Sequence, residues 1–411
     1  MIRWISNSRV ALQRLGFCKI AVALGDRSRS RREMAELIYP ILSKPITPGA
    51  DDELGKWVRA NTRTRDTLEQ KFGMSIVAQD LWVYSHPSRT GRLSEGAFQE
   101  YFEDTNLPFL LGFLDEECRR TDNGELLANA ASLPSEELTT WDPTVNPLLL
   151  SYEEKAVFLY ALMKTDGDFL IPFVAMLLET FRDSPFSYVQ AGNYLPRIIE
   201  EILSRFQNAL FTSSDREQYE DLQETRNKII QNIERNIEAE GFGSRREQTT
   251  VPRLEWLVDL GALTKRGGEK YTYCFVPDRV PLVRELYNAY VEMTKEGYAN
   301  EALDKLLDRK AMGILFLLHN RSTSGVLSVP DVIGYVRETY ERIKPATGYC
   351  VLRPLLILSN LRSWKTGGPR VLEFREAIAK LEQAYRTDQS QFYFTTARFG
   401  EDYQIKFENR K

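Results

Sequence analysis

The sequence predicts a mainly α-helical protein of several domains with small β-hairpins. Amphipathic helical patterns that begin at capping residues recur along the chain, for example after Ser151 and Ser328. Two runs that alternate apolar and polar residues, ending at Phe275 and Phe407, predict strands that return from tight turns. With 411 residues the chain exceeds the usual size of a single core, so two or three domains are expected.

Composition and turn signals divide the chain into four parts. Residues 1–92 form a basic, Arg-rich domain of mixed or helical structure, and residues 93–147 form a helical segment that ends in a linker rich in Pro, Thr, Ser and Glu. Residues 148–280 contain long helical patterns and the first hairpin. Residues 281–411 contain further helices and the second hairpin.

The third part is predicted to open with two helices. Ser151 is a candidate cap for the first, and the short polar run Asp166, Gly167, Asp168 predicts the turn between them. An Asp-Gly-Asp turn could hold a cation, but a divalent ion needs more oxygen ligands than this run supplies. Turn formation is therefore the preferred interpretation, and no metal site is predicted.

The most specific pattern of the chain lies in the stretch Thr249–Val276. Thr249 and Thr250 are candidate helix caps, and Pro252 suits a first turn. Apolar residues follow at helical spacing until Gly261, which is expected to end the helix. A basic turn with two glycines then leads into an alternating strand. The stretch therefore predicts a short helix followed directly by a hairpin.

This helix and hairpin resemble the second half of winged-helix DNA-binding proteins, in which a helix enters the major groove and the hairpin, or wing, contacts phosphate. The order of elements in 281–411 would fit a second such module, so one or two are expected. The resemblance implies that Arg253 and Glu255 lie on or near an exposed helix face. The implied DNA contacts of the first module are Arg245, Arg246, Arg253, Lys265, Arg266 and Lys270.

Charge is distributed unevenly along the chain. Residues 1–92 carry 16 Lys and Arg against 9 Asp and Glu, whereas the whole chain has a net charge of −4. Arginines interleaved with Ser, Thr and Asn suit phosphate oxygens, so a nucleic-acid backbone is one candidate partner. The alternative is that these arginines form a solvated face, or an interface with an acidic protein surface. The N-terminal candidates for DNA contact are Arg27, Arg29, Arg31, Arg32, Arg63 and Arg65.

The sequence contains no recognisable catalytic motif. It has two histidines, His86 and His319, and it lacks a zinc-binding cluster, a nucleophile elbow and a Walker A loop. The four cysteines are far apart and mostly have apolar or aromatic neighbours, which favours buried thiols in a reducing compartment. No apolar stretch is long enough to span a bilayer, so a soluble, cytoplasmic protein without cofactor or metal is expected.

The preferred hypothesis is a non-enzymatic protein that binds duplex DNA, or docks DNA to the other protein subunits of a larger prokaryotic assembly. In style the chain resembles an accessory subunit of an anti-phage defence or DNA-processing system. Two alternatives stay open, because a fold does not fix a function. One is a metal-dependent nuclease with dispersed acidic residues, and the other is a scaffold whose hairpins dock protein, such as an adaptor for an ATPase.

Overall fold

A computed structural model describes most of the predicted helices and both hairpins. The described residues are 3–5, 15–25, 30–42, 107–130, 150–182, 184–207, 213–235, 245–266, 272–277, 280–295, 328–344, 347–365, 372, 374–389, 391–396 and 403–407. Helices dominate these parts of the chain, and the strands in them form two small antiparallel sheets. The prediction of a mainly α-helical chain is confirmed. The predicted linker before Pro147 lies outside the described residues.

The elements are numbered in chain order. The helices are α1 (Leu15–Leu24), α2 (Arg31–Leu42), α3 (Leu107–Leu110), α4 (Asp122–Ala130), α5 (Tyr152–Phe181), α6 (Tyr188–Gly192), α7 (Leu195–Phe206), α8 (Ser213–Glu234), α9 (Arg245–Asp259), α10 (Val280–Lys295), α11 (Val329–Ile343), α12 (Leu352–Lys365) and α13 (Phe374–Thr387). The strands are β1 (Leu263–Arg266), β2 (Thr272–Phe275), β3 (Cys350–Val351), β4 (Phe392–Thr396) and β5 (Tyr403–Phe407).

The longest helix, α5, forms the centre of the fold. A capping box fixes its start: the Ser151 hydroxyl accepts the backbone N–H of Glu154, and the Glu154 carboxylate accepts the backbone N–H of Ser151 at 2.6 Å. Helices α4, α7, α10 and α12 all pack against α5. Its apolar residues therefore belong to one continuous core that joins the central and C-terminal parts of the chain.

The predicted turn at Asp166, Gly167 and Asp168 is wrong, because α5 runs through these residues without a break. Glycine in a helix interior costs only about 1 kcal/mol relative to alanine, which is less than burial of a single large apolar side chain contributes. Both aspartates are buried and accept hydrogen bonds from another segment, so their side chains do not compete for the backbone of their own helix.

The N-terminal residues are inserted beside the middle of α5. The backbone N–H of Arg3 donates to Asp168 Oδ2 at 2.9 Å, and that of Ile5 donates to Asp166 Oδ1 at 2.8 Å. The Tyr290 hydroxyl of α10 donates to Asp168 Oδ1 at 3.0 Å. Burial raises the pKa of Tyr290 well above its ordinary value, so this hydroxyl keeps its proton. The two carboxylates thus join residues 3–5 and α10, which are distant in sequence, to α5.

Helix α1 is tied to the same region by two further polar contacts. The backbone N–H of Leu15 at its start donates to Asp259 Oδ2, at the end of α9, at 2.8 Å. Lys19 Nζ lies 2.7 Å from Glu154 Oε1 in an ion pair that is almost fully buried. Residues 3–5 and α1 are consequently part of the core built around α5 and α9.

Helix α9 and the first hairpin differ in one respect from the sequence prediction. The helix begins at Arg245 instead of Thr249, because Thr249 and Thr250 donate their hydroxyls to carbonyls four residues earlier and do not cap it. Gly261 follows the last turn with a φ of 80°, as expected of a residue that ends a helix. β1 and β2 then pair antiparallel.

On its other side, β2 is bridged by a single residue from before α6. Phe186 and Tyr273 exchange backbone hydrogen bonds of 3.0 and 2.8 Å. The spatial order in this small sheet is therefore Phe186, β2, β1. The segment between α5 and α6 thus pairs, through Phe186, with the second strand of the hairpin.

The C-terminal unit has the order α11, β3, α12, α13, β4, β5. A second capping box, formed by Ser328 and Asp331, starts α11. The three strands lie in the order β3-β5-β4, and Phe392 is opposite Phe407 in the β4–β5 register. The predicted second hairpin is therefore present. Phe392, Phe394, Ile405 and Phe407 point inward and are buried against the helices.

None of the described helices is long and apolar enough to cross a membrane.

Lowering the pH is expected to stabilise the fold through Asp168. Burial raises the pKa of this carboxyl to about 6, against an ordinary value of about 3.9. Between these values the folded state holds a proton that the unfolded chain has released. The contribution to the free energy of unfolding is therefore present below about pH 4 and is lost as the pH rises through about 6.

Urea unfolding of the wild type and Asp168→Asn, measured from about pH 4 to about pH 7.5, tests this expectation. The asparagine keeps an acceptor for Arg3 N–H and a donor for the Tyr290 oxygen, but it has no proton to lose. The stability of the wild type relative to the variant should fall over this range by on the order of 2–3 kcal/mol. Parallel pH curves for the two proteins would contradict the assignment to Asp168.

Candidate nucleic-acid interface

Arg253, expected on a DNA-reading helix, lies in the interior. It is fully buried in the middle of α9 and pairs with the equally buried Asp166 of α5. Its Nε donates to Asp166 Oδ2 at 2.8 Å, and its Nη2 donates to Asp166 Oδ1 at 2.5 Å. Other guanidinium N–H groups donate to the carbonyls of Thr249 and Ile5 at 2.8 and 3.2 Å. The guanidinium also lies 4.1 Å from the centre of the Phe169 ring.

Glu255 and Lys265 are buried together at the start of the hairpin. The Lys265 ammonium lies 2.7 Å from Glu255 Oε1, and the side chains are 4% and 1% exposed. The Tyr273 hydroxyl donates to the same oxygen at 2.6 Å. The expectation of an exposed face with Arg253 and Glu255 is therefore wrong, and Lys265 is not a surface cation of the hairpin. Each charge is neutralised inside the protein by a residue close to it in space.

Arg245 and Arg246 connect α9 to neighbouring helices. Arg245 donates from Nε and Nη2 to the Thr225 hydroxyl of α8 at 3.2 and 3.0 Å, and its Nη2 lies 3.6 Å from Asp221 Oδ1. Burial lowers the pKa of Arg245, which nevertheless keeps its charge because arginine starts from a very high value. Arg246 is buried and donates to Asn193 Oδ1 at 3.1 Å. Both side chains serve packing within this part of the chain.

The N-terminal arginines are only partly described. The guanidinium of Arg31 lies 4.1 Å from the centre of the Phe109 ring and 3.9 Å from Glu116 Oε2. Arg32 is exposed and lies 3.5 Å from Glu36 within α2. Outside the described residues lie Arg27, Arg29, Arg63, Arg65, Lys270, His86 and His319. Arg266 is described only as a backbone position in β1.

A basic helix face that the sequence prediction did not single out lies on α13. Its exposed positions include Arg375, Ala379, Gln383 and Arg386. At 100° per residue these four fall within a stripe of about 80° on one side of the helix. Ala377, Leu381 and Ala384 occupy the buried side. The spacing of these apolar residues in the sequence was the available signal for which side would face solvent.

Two acidic residues accompany this face. Lys380 Nζ lies 2.9 Å from Glu376 Oε1, so these two charges compensate each other. Arg386, with a side chain that is 81% exposed, lies 3.8 Å from Glu382 Oε2. A pair at this distance on the surface is weak, so Arg386 can exchange it for another anion at little cost. Arg375 and Arg386 are consequently the cations that this face can offer to a ligand.

The residues that the structure describes contain no candidate metal-binding site. Among them, no group of three or more His, Cys, Asp or Glu side chains could hold an ion. Asp166 and Asp168 accept hydrogen bonds from protein donors instead. Cys18, Cys118 and Cys350 are buried and Cys274 is half-buried, all four as thiols. Burial raises the pKa of Cys18 well above its ordinary value, which keeps this thiol protonated and unreactive.

Comparisons of the chain with protein-family models, with curated proteins and with solved structures each found no match.

Replacing Arg253 is expected to cost far more stability than replacing an exposed arginine. Arg253→Met keeps the apolar stem beside Phe169 but leaves the buried Asp166 carboxylate without its cation, and breaking such a pair costs about 3–5 kcal/mol. The matched control is Arg119→Met, because Arg119 pairs with Asp115 and Glu117 at the surface. An exposed pair of that kind contributes little to stability because water and salt screen it.

The measurement is the free energy of unfolding in urea for each variant. Arg253→Met combined with Asp166→Leu should be less destabilised than the sum of the single changes, because the double variant buries no uncompensated charge. Equal losses for Arg253→Met and Arg119→Met would contradict the structural role given to the buried pair.

Proposed function

We propose that this chain is a non-enzymatic protein that binds duplex DNA through the exposed face of α13. The observation that supports this function is the combination of a helix with two exposed arginines, Arg375 and Arg386, and the hairpin that follows it directly in the chain. In the winged-helix arrangement that the sequence resembles, these two elements read the major groove and contact phosphate.

The order of elements in the C-terminal unit supports the winged-helix interpretation. Three helices, α11, α12 and α13, precede a two-stranded hairpin, and a short strand between the first two helices pairs with the second strand of that hairpin. The central unit repeats part of this plan, since Phe186 precedes α6 and pairs with β2. We infer that both units are winged-helix modules and that only the second one presents its helix to DNA.

The two modules differ in whether the helix before the hairpin is buried, and this difference decides which of them can contact DNA. α9 has the same position before its hairpin as α13, but its arginines are occupied by Asp166, Asn193 and Thr225 inside the protein. A helix enclosed in this way cannot enter a groove without unfolding its surroundings. α13, by contrast, buries only its apolar side and leaves a polar side to solvent. DNA contact is therefore assigned to the C-terminal module.

The dimensions of the α13 face suit a groove of duplex DNA. Arg375 and Arg386 are eleven residues apart, which corresponds to about 16 Å along the helix and exceeds the major-groove width of about 12 Å. The two guanidinium groups could therefore contact phosphates on both sides of the groove. Between them lie Ala379, which allows close approach, and Gln383, whose amide can form two hydrogen bonds with adenine.

Neutralising the two arginines is expected to weaken duplex binding and to reduce its dependence on salt. The variant is Arg375→Gln/Arg386→Gln, and the ligand is a blunt duplex of about two helical turns, roughly 20 base pairs. Loss of two phosphate contacts should lower the slope of log K against log salt by about 1.8 and the affinity by roughly tenfold or more at moderate salt. Fluorescence anisotropy over a salt series measures both quantities.

Two further variants complete this test: one should increase the affinity for duplex DNA, and the other is a control that should not change it. Glu382→Gln removes the carboxylate beside Arg386 and should strengthen duplex binding. Arg216→Gln/Arg235→Gln removes the same number of charges from exposed positions at the ends of α8 and should change binding little. If the wild type ignores duplex DNA at low salt, or if both double variants lose affinity equally, the proposal fails and the α13 face is left to a protein partner.

A further inference from the structure

The solvent side of the C-terminal sheet carries an aromatic and basic cluster. Tyr393 on β4 is directly opposite Lys406 on β5, and both point away from the core because their neighbours Phe392, Phe394 and Phe407 point inward. Tyr393 is 43% exposed, which is the largest exposure of any large apolar or aromatic side chain among the described residues. Burial does not explain an aromatic side chain at this position.

Tyr349 and Lys406 complete the cluster beside Tyr393. The rings of Tyr349 and Tyr393 meet edge to face, with centres 5.7 Å apart. Lys406 Nζ lies 4.8 Å from the centre of the Tyr349 ring. A cation–π contact of this kind keeps the ammonium group over the sheet instead of extended into solvent. Two rings and one cation are therefore held together on one face.

The remaining described residues of this face carry no negative charge. Val351, Thr395 and Gln404 are the other described positions whose side chains point outward on the three strands, and the register sets Gln404 opposite both of the others. Lys406 therefore gives the described part of this face a positive charge, although the whole chain has a net charge of −4. An anionic ligand with flat, apolar parts would complement it.

We propose that this outer sheet face binds a single strand of nucleic acid, with an unpaired base stacked on Tyr393 and a phosphate held by Lys406. Aromatic side chains accept any base because every base has a π-face, and a nearby cation attracts the backbone. Antiparallel sheets whose surface aromatics stack unpaired bases are an established means of single-strand recognition. Thr395 supplies a hydroxyl group for hydrogen bonds to base edges.

A peptide is a poorer match to this chemistry. A peptide that joins a sheet binds through the backbone groups of an edge strand, whereas the distinctive groups here project from the face. The inference does not depend on duplex binding by α13, because it concerns other residues and another form of nucleic acid. The two ideas can therefore fail separately.

The test is the affinity of the full chain for a fluorescent oligodeoxythymidylate of about 12 nucleotides, a length within the range that small single-strand binding folds occupy. Oligodeoxythymidylate forms no duplex with itself, so binding reports single-strand recognition. Tyr393→Ala should lose about tenfold in affinity, while Tyr393→Phe, which keeps the ring, should stay near the wild type. Because Tyr393→Ala also removes the edge-to-face contact with Tyr349, far-UV circular dichroism of both variants should show that the fold is kept.

The lysine is tested through the salt dependence of the same binding. Lys406→Gln should weaken binding and lower the slope of log K against log salt by about 0.7, the value for one phosphate contact on a single strand. Lys228→Gln on α8 removes an equal charge from an exposed position elsewhere and should leave the affinity unchanged. Arg375→Gln/Arg386→Gln should also leave it unchanged, which separates this face from α13.

Three outcomes would overturn the proposal. The first is no binding of the oligonucleotide by the wild type at low salt, and the second is equal binding by the wild type and Tyr393→Ala. The third is an equal loss of affinity for Tyr393→Ala and Tyr393→Phe, because stacking would then not be the interaction measured. In the first two cases we would instead expect the exposed tyrosine to contact a protein partner.

Discussion

The buried ion pair between Arg253 and Asp166 is the contact on which the central part of the fold depends. Removing two charges from water costs several kcal/mol for each ion, and their attraction repays that cost only when further hydrogen bonds complete the site. The completing groups come from the backbone at Ile5 and Thr249. α5, α9 and the N-terminal residues must therefore meet together. The pair specifies their register more than it adds net stability.

The same pair explains why two similar units have different surfaces. Each unit places a helix directly before a hairpin, and each such helix contains arginine and glutamate at intervals that suit an exposed face. In the central unit α5 supplies Asp166, and the hairpin itself supplies Lys265 to Glu255, so the charges of α9 are satisfied inside. α13 forms its described ion pairs within its own length, and its charged side stays in contact with solvent.

Local signals in the sequence predicted local structure well. Both hairpins, the helix after Ser328 and the end of α9 at Gly261 follow from turn, cap and periodicity rules that act over a few residues. The burial of Arg253 could not be predicted in this way, because its partner is 87 residues away. For the same reason the local sequence pattern of Asp166 to Asp168 predicts a turn where the structure has a helix. The donors that satisfy its two carboxylates come from residues 3–5, α9 and α10, which no local pattern reveals.

Electrostatics limits how nucleic acid could bind to a chain with a net charge of −4. Among the described residues, the attraction that we propose comes from small groups of exposed cations, namely Arg375 with Arg386 and Lys406 with its two tyrosines. The acidic remainder acts at longer range and is screened beyond about 10 Å at 0.1 M salt. Raising the salt from a very low value weakens both the local attraction and this distant repulsion. Binding by such a surface should therefore fall less steeply with salt than binding by a uniformly basic protein, and packing and stacking must supply the rest of the affinity.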